Sequence, residues 1–238
     1  MRPIGFSTGA LARNDVRRAL NMLEGKPGLA IELSALRQDE LLPLVKQLDD
    51  LDLNRFRFIS FHAPSSIEPL YESEALELLE SVRARGWPII VHPDAMLTIP
   101  KWSRFGNLLC VENMDKRKPI GQTAADLTAI FEQLPDASLC FDLGHARQID
   151  PTMSEAVAIL TLHGKRLRQL HVSEVNAQSK HDPLTREATM AFRRVARLIP
   201  KNIPIILESR VDESQIAQEI AGALAALEPE NDLAAAGD

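Results

Sequence analysis

The sequence predicts an α/β chain folded as a single (β/α)8 TIM barrel with a shortened fourth βα unit, on three observations. Short apolar runs alternate with helical patterns along the 238 residues. Most runs recur about 30 residues apart, the length one βαβ repeat needs. Run after run ends in a residue that binds metals or moves protons: His62 closes FISFH, His92 PIIVH, Glu112 LLCVE, His171 LRQLH and Glu208 PIILE, while Asp142 and His145 lie in SLCFDLGH. A strand buried on both faces has one polar place to end. In an open doubly wound sheet, function collects at one switch point between strands, whereas the strand ends of a barrel all converge on one mouth. Polar ends on six or more runs therefore favour the closed barrel.

Taken in order, PIGFS is the first strand, and Asn14 and Asp15 cap a helix through VRRALNMLEG that Gly25 ends. LAIELS follows, with Glu32 either facing the mouth or serving as a cap or ion-pair partner, and then a helix from about Gln38 to Leu51. After FISFH, Ser73 caps SEALELLESVRARG, whose Leu76, Leu79 and Val82 share one face and whose Gly86 is the stop. The fourth unit is cut short, because His92 and Glu112 are only 20 residues apart and Pro100 lies between them. TAADLTAIFEQL, SEAVAILTLHGK, TREATMAFRRVARL and DESQIAQEIAGALAAL supply the later helices. Residues 1–228 read as one metal-binding barrel. Residues 229–238, rich in Ala, Gly, Asp and Asn, read as a disordered tail.

Composition sets wider limits. Apolar content of 45% and charged content of 25% are those of an ordinary globular chain, and no apolar stretch approaches the 18 residues of a membrane span. The cytoplasm is the default expectation, and a homodimer is the expectation from frequency alone. Net charge of −6 argues against nucleic acid as a partner unless a local basic groove offsets it. Cys110 and Cys140 both fall inside strands and read as reduced, buried thiols.

Glu112, Asp142, His171 and Glu208 form the core of the expected site. Three carboxylates gathered in one low-dielectric pocket repel one another, and a divalent cation is the simplest compensation. His62, His92, His145 and His181 add imidazoles enough for a second or third ion. Imidazole shifts the choice toward zinc, manganese, iron or cobalt, so one to three divalent transition-metal ions are expected. Counting two residues back from each strand end places Ser60, Ile90, Cys110, Cys140, Gln169 and Ile206 inside the barrel, one layer deeper. Gln169 is the polar member and a candidate partner for a ligand. His163 sits near a helix end, where a cation suits the helix dipole, and is left out of the site.

The order of SFHAP, VHPD, VEN, FDLGHA, LHVSE and LES resembles the xylose-isomerase-like TIM-barrel superfamily, which holds sugar phosphate isomerases and epimerases and the endonuclease IV type of nuclease. The resemblance implies that Glu112, Asp142, His171 and Glu208 are the shared metal ligands, and that His62, His92 and His145 complete a three-metal cluster in the nuclease branch. HDPL, with His181 directly before Asp182, departs from the Asp-x-His pair that branch carries. The function expected first is isomerisation or epimerisation of a small sugar or sugar phosphate through a metal-stabilised enediolate. Glu112 and Glu208 then serve as the acid–base pair, His62 and His145 bind substrate oxygens, and Phe6 and Trp102 either close over the sugar or, the more frequent role for such residues, simply pack in the core. The alternative is a multi-zinc phosphoester hydrolase whose phosphate meets Arg147, Lys180 or Arg210; a third is a barrel that binds a metal or ligand without turnover.

Overall fold

Eight runs pair in parallel into a closed barrel. The computed structural model describes residues 2–228, so the tail expected from 229 onward lies outside the described residues. The strands are β1 (Ile4–Ser7), β2 (Ala30–Ser34), β3 (Phe58–His62), β4 (Ile89–Val91), β5 (Leu109–Glu112), β6 (Ser138–Asp142), β7 (Leu167–Val172) and β10 (Ile205–Leu207), in the order β1-β10-β7-β6-β5-β4-β3-β2. A two-stranded antiparallel hairpin, β8 (Glu174–Val175) with β9 (His181–Asp182), stands apart after β7.

Around the barrel lie α1 (Thr8–Ala12), α2 (Val16–Leu23), α3 (Gln38–Gln47), α4 (Glu72–Ala84), α5 (Ile99–Trp102), α6 (Ala124–Gln133), α7 (Leu143–Ile149), α8 (Ser154–His163), α9 (Arg186–Arg193) and α10 (Ile216–Ala226). Local chemistry sets their ends. Asp15 accepts from Arg18 N at the start of α2, Thr123 and Asp126 form a reciprocal capping box on α6, and Thr185 accepts from Ala188 N on α9. Gly25 and Gly86 hold φ of 67° and 71° just past α2 and α4, as a left-handed helix stop requires. The expected Ser73 cap is corrected. The cap position is Tyr71, so the helix starts two residues earlier, at Glu72, whose carboxylate turns to the next unit and accepts from Thr98 N and Trp102 Nε1. The fourth unit is stunted as expected: α5 is four residues long and ends in the fully buried Trp102.

Side-chain alternation divides the core. Ile90, Cys110 and Cys140 form a cluster inside the barrel, separate from the larger layer in which Ile31, Leu33, Phe61 and Phe141 pack beneath the helices. Ser60, Gln169 and Ile206 are fully buried too, so all six residues counted back from the strand ends are buried. Close packing also fixes β1 on β2. A Cβ on Gly5 would stand 1.6 Å from Ala30 O. Gly5→Ala is therefore expected to lower unfolding stability in urea by about 1–3 kcal/mol, and an unchanged midpoint would contradict this contact. No helix among the described residues is long and apolar enough to cross a membrane.

Candidate metal centre

The register of neighbouring strands builds the centre. Asp142, the last residue of β6, pairs with His171 on β7, and Glu112 ends β5 one strand further round. Glu208 follows β10, which pairs with β7 on its other side. All four are buried, and each offers a ligand atom within 4.8 Å of the others. His171 Nδ1 is 3.0 Å from Glu112 Oε1 and 3.6 Å from Glu208 Oε2. Asp142 caps α7, accepting from His145 N through Oδ1, while its Oδ2 is buried with no hydrogen-bond partner among the described residues.

Two more donor groups share this core. His62 and His92 place Nε2 at 3.2 Å and 3.3 Å from Glu112 Oε2, and the three residues form one group. Asp142, His145 and His181 form the other. Glu112 thus belongs to two groups and Asp142 to two. Backbone carbonyls orient the rings: His62 Nδ1 donates to Ala63 O and His145 Nδ1 to Asn113 O, so Nε2 is the nitrogen of each ring that the backbone does not hold. Neither His145 Nε2 nor His92 Nδ1 has a hydrogen-bond partner among the described residues, though both are buried.

The buried groups shift one another's protonation. Burial would raise Glu112, but His171, His62 and His92 outweigh it and hold this carboxylate well below the usual range. Burial, reinforced by Glu112, Asp142 and Glu32 and opposed by His171, pushes Glu208 up to about 8. Burial likewise raises Asp142. His171 is raised well above the ordinary imidazole value: burial opposes this and is outweighed by Cys140, Glu208, Glu32 and Glu112. Burial lowers His92, and lowers His181 to about 3 with help from His145, His171 and Arg210. These two rings therefore stay neutral, as a ligand must. Convergent carboxylates and imidazoles with unpartnered buried atoms could hold metal ions, which would satisfy both the charge and the lone pairs.

The centre floors a cavity of about 570 Å³, within the range of small-molecule sites. His62, His92, Glu112, His145, His181 and Glu208 line it, as do Lys180 and Arg210, which have no ion-pair partner among the described residues. Three other expectations are corrected. Phe6 is fully buried in the layer beneath the helices, Trp102 donates to Glu72, and no Phe, Trp or Tyr among the described residues lines the cavity. Arg147 is spent on an ion pair with Glu174. His163, read as a cation at a helix end, is held below its ordinary value by burial and bonds Thr128 and Ala124.

Sequence reasoning missed Asn113, directly after Glu112. Its amide brackets the Asp142 backbone, donating to Asp142 O at 2.9 Å and accepting from Asp142 N at 2.7 Å, so it fixes the strand end that carries the ligand. A polar residue beside a strand-end ligand is the signal that could have found it. Gly144 also proves tight, since a Cβ there would meet Val175 at 2.6 Å and Ser173 O at 2.7 Å. The departure at HDPL resolves in the hairpin: Asp182 accepts from Asn176 Nδ2, and Asp142 supplies the carboxylate beside His181.

No family model matches the chain, and no curated protein matches it. Solved structures do. Endonuclease IV from Thermus thermophilus is similar at a TM-score of 0.62 and 17% identity, covering 94% of this chain and 98% of that one. A xylose isomerase domain protein from Alicyclobacillus acidocaldarius gives 0.63 at 12% identity, covering 95% and 98%. The 3-keto-D-glucoside 4-epimerase from E. coli gives 0.56 at 13%, covering 93% and 98%. By fold, the chain is a TIM barrel, similar to these three structures.

Proposed function

We propose that the barrel is a multi-metal phosphoester hydrolase. One observation carries this reading: three donor groups are contiguous, the core group sharing Glu112 with His62 and His92, and Asp142 with His145 and His181. A single-metal centre uses the Glu112, Asp142, His171 and Glu208 group and has no need of two further ones. When bound, divalent ions would polarise phosphoryl oxygens and lower the pKa of water toward neutrality. The chain's own residues do the rest. Glu112 and Asp142 hold the groups together, the Ala63 and Asn113 carbonyls keep His62 and His145 aimed, and Lys180 and Arg210 meet phosphate charge left outside the donor set. The cavity suits a small ester, and the fold likeness to an endonuclease supports phosphoester chemistry.

The second reading, isomerase or epimerase of a small sugar or sugar phosphate, draws on a different observation. Glu112 is held ionised while Glu208 is pushed up to about 8, and an acid–base pair needs such divergent partners. The fold likeness to an epimerase supports it. This ranking reverses the one expected from sequence, and the clustering of the histidines with Glu112 and Asp142 in groups that could hold metal ions supports it.

Metal analysis of protein purified without chelator divides the two. The hydrolase is expected to hold three transition-metal ions per chain and to cleave p-nitrophenyl phosphate or bis-p-nitrophenyl phosphate, with an abasic DNA duplex as the nucleic-acid arm. One ion, with solvent deuterium entering a ketose in deuterium oxide, would select the epimerase. A preparation with no metal that also refuses loading would sink both.

A further inference from the structure

We infer that Glu32 is a positioning residue for this centre, the buried acceptor that decides which nitrogen of His171 is offered to a metal. The inference rests on the metal-centre reading above. Glu32 lies on β2, pairs in register with Ser60 on β3, and is fully buried within the barrel. Its Oε2 lies 3.0 Å from Ser60 Oγ, 2.7 Å from Gln169 Nε2 and 3.0 Å from His171 Nε2. His171 Nε2 is thus held inside the barrel, between Glu32 Oε2 and, at 3.0 Å, Gln169 Nε2. That leaves Nδ1 of His171 to face Glu112 and Glu208.

His171 needs this partner because of where it sits. His62 ends β3 and His145 lies in the first turn of α7, and each ties Nδ1 to a backbone carbonyl. His171 lies inside β7, which is paired on both sides, and it is held by a side chain from β2 across the barrel. The two kinds of anchor give opposite faces. The carbonyl-held rings present Nε2, and the Glu32-held ring presents Nδ1.

The arrangement is costly if its only purpose is stability. A carboxylate buried among apolar strands loses its hydration, and neither Glu32 Oε1 nor Gln169 Oε1 has a hydrogen-bond partner among the described residues. A network built for stability alone would leave fewer acceptors bare. A carboxylate behind a ligating imidazole also strengthens the ring as a donor, and loss of such a partner commonly costs about 10–100-fold in metal affinity.

Zinc competition against a chromophoric chelator tests this, using wild type and Glu32→Gln. The expected result is one zinc per chain weakened about 10–100-fold, with the others unchanged. Affinities within twofold at every site would overturn the inference while leaving the metal centre standing. Long-range 1H–15N spectra of zinc-loaded wild type give a second reading that needs no variant to fold. Zinc on Nδ1 and a proton on Nε2 of His171 are expected, and zinc on Nε2 overturns the proposal. Wild type that binds no zinc overturns both this inference and the reading it rests on.

Discussion

Glu112→Gln is expected to remove two of the three metal ions and to lower kcat/KM by about 1,000-fold or more, while the far-ultraviolet spectrum stays that of the wild type. The reason is its shared membership. Glu112 stands with His62 and His92 in one group and with Asp142, His171 and Glu208 in another. An amide offers a weaker, uncharged donor, so both groups lose their common anion. A bound ion is worth several kcal/mol of transition-state charge, and each 1.36 kcal/mol is about tenfold in rate. Glu208→Gln belongs to one group only and is expected to cost one ion. The contrast between the two variants makes the test specific. Equal metal loss from both, or three ions and near-wild-type activity in Glu112→Gln, would refute a centre organised around Glu112.

Much of this arrangement is legible in the sequence because parallel strands buried on both faces leave few choices. Each apolar run must stop where the barrel opens, so the residue that stops it is placed before any side chain is built. That logic locates Glu112, Asp142, His171 and Glu208, and its two-residue step back locates the buried positions of Cys140 and Gln169. It fails where the chain does not extend. His181 comes from a hairpin after β7, and the order of His181 and Asp182 says nothing about which of them turns inward. Phe6 fails for parity: it lies one residue before the end of β1, and packs beneath the helices, away from the mouth. Trp102 and Arg147 fail for partners, since only the folded chain brings Glu72 and Glu174 to them. The sequence leaves Glu32 open between two roles for the same reason. Its partner His171 is 139 residues away and across the barrel.

Metal-free protein is expected to lose stability as pH rises from 6.5 to about 8, whereas metal-loaded protein is expected to hold or gain it. Two groups set the sign for the first. Glu208 is raised by burial from 4.5 in an unfolded chain to about 8, so between these values the folded state keeps a proton the unfolded state has lost. His171 is raised above 6.5 by the acidic groups around it, and adds the same effect above that pH. When the folded state holds more protons, stability is present at low pH and is lost as pH rises through the folded value. Below 6.5 the sign is mixed. His181, lowered to about 3, leaves the folded state with fewer protons there, and so offsets Glu208. The window from 6.5 to 8 is therefore the informative one. One proton held across it is worth on the order of 2 kcal/mol, which corresponds to a fall in Tm of about 4–8 °C for a chain of this size. Metal reverses the slope because ions displace those protons and bind more tightly as pH rises. Thermal melts across this range, with and without chelator, should then diverge, and a chelated protein whose Tm is flat or rising there would mean that Glu208 and His171 do not hold the centre's protons.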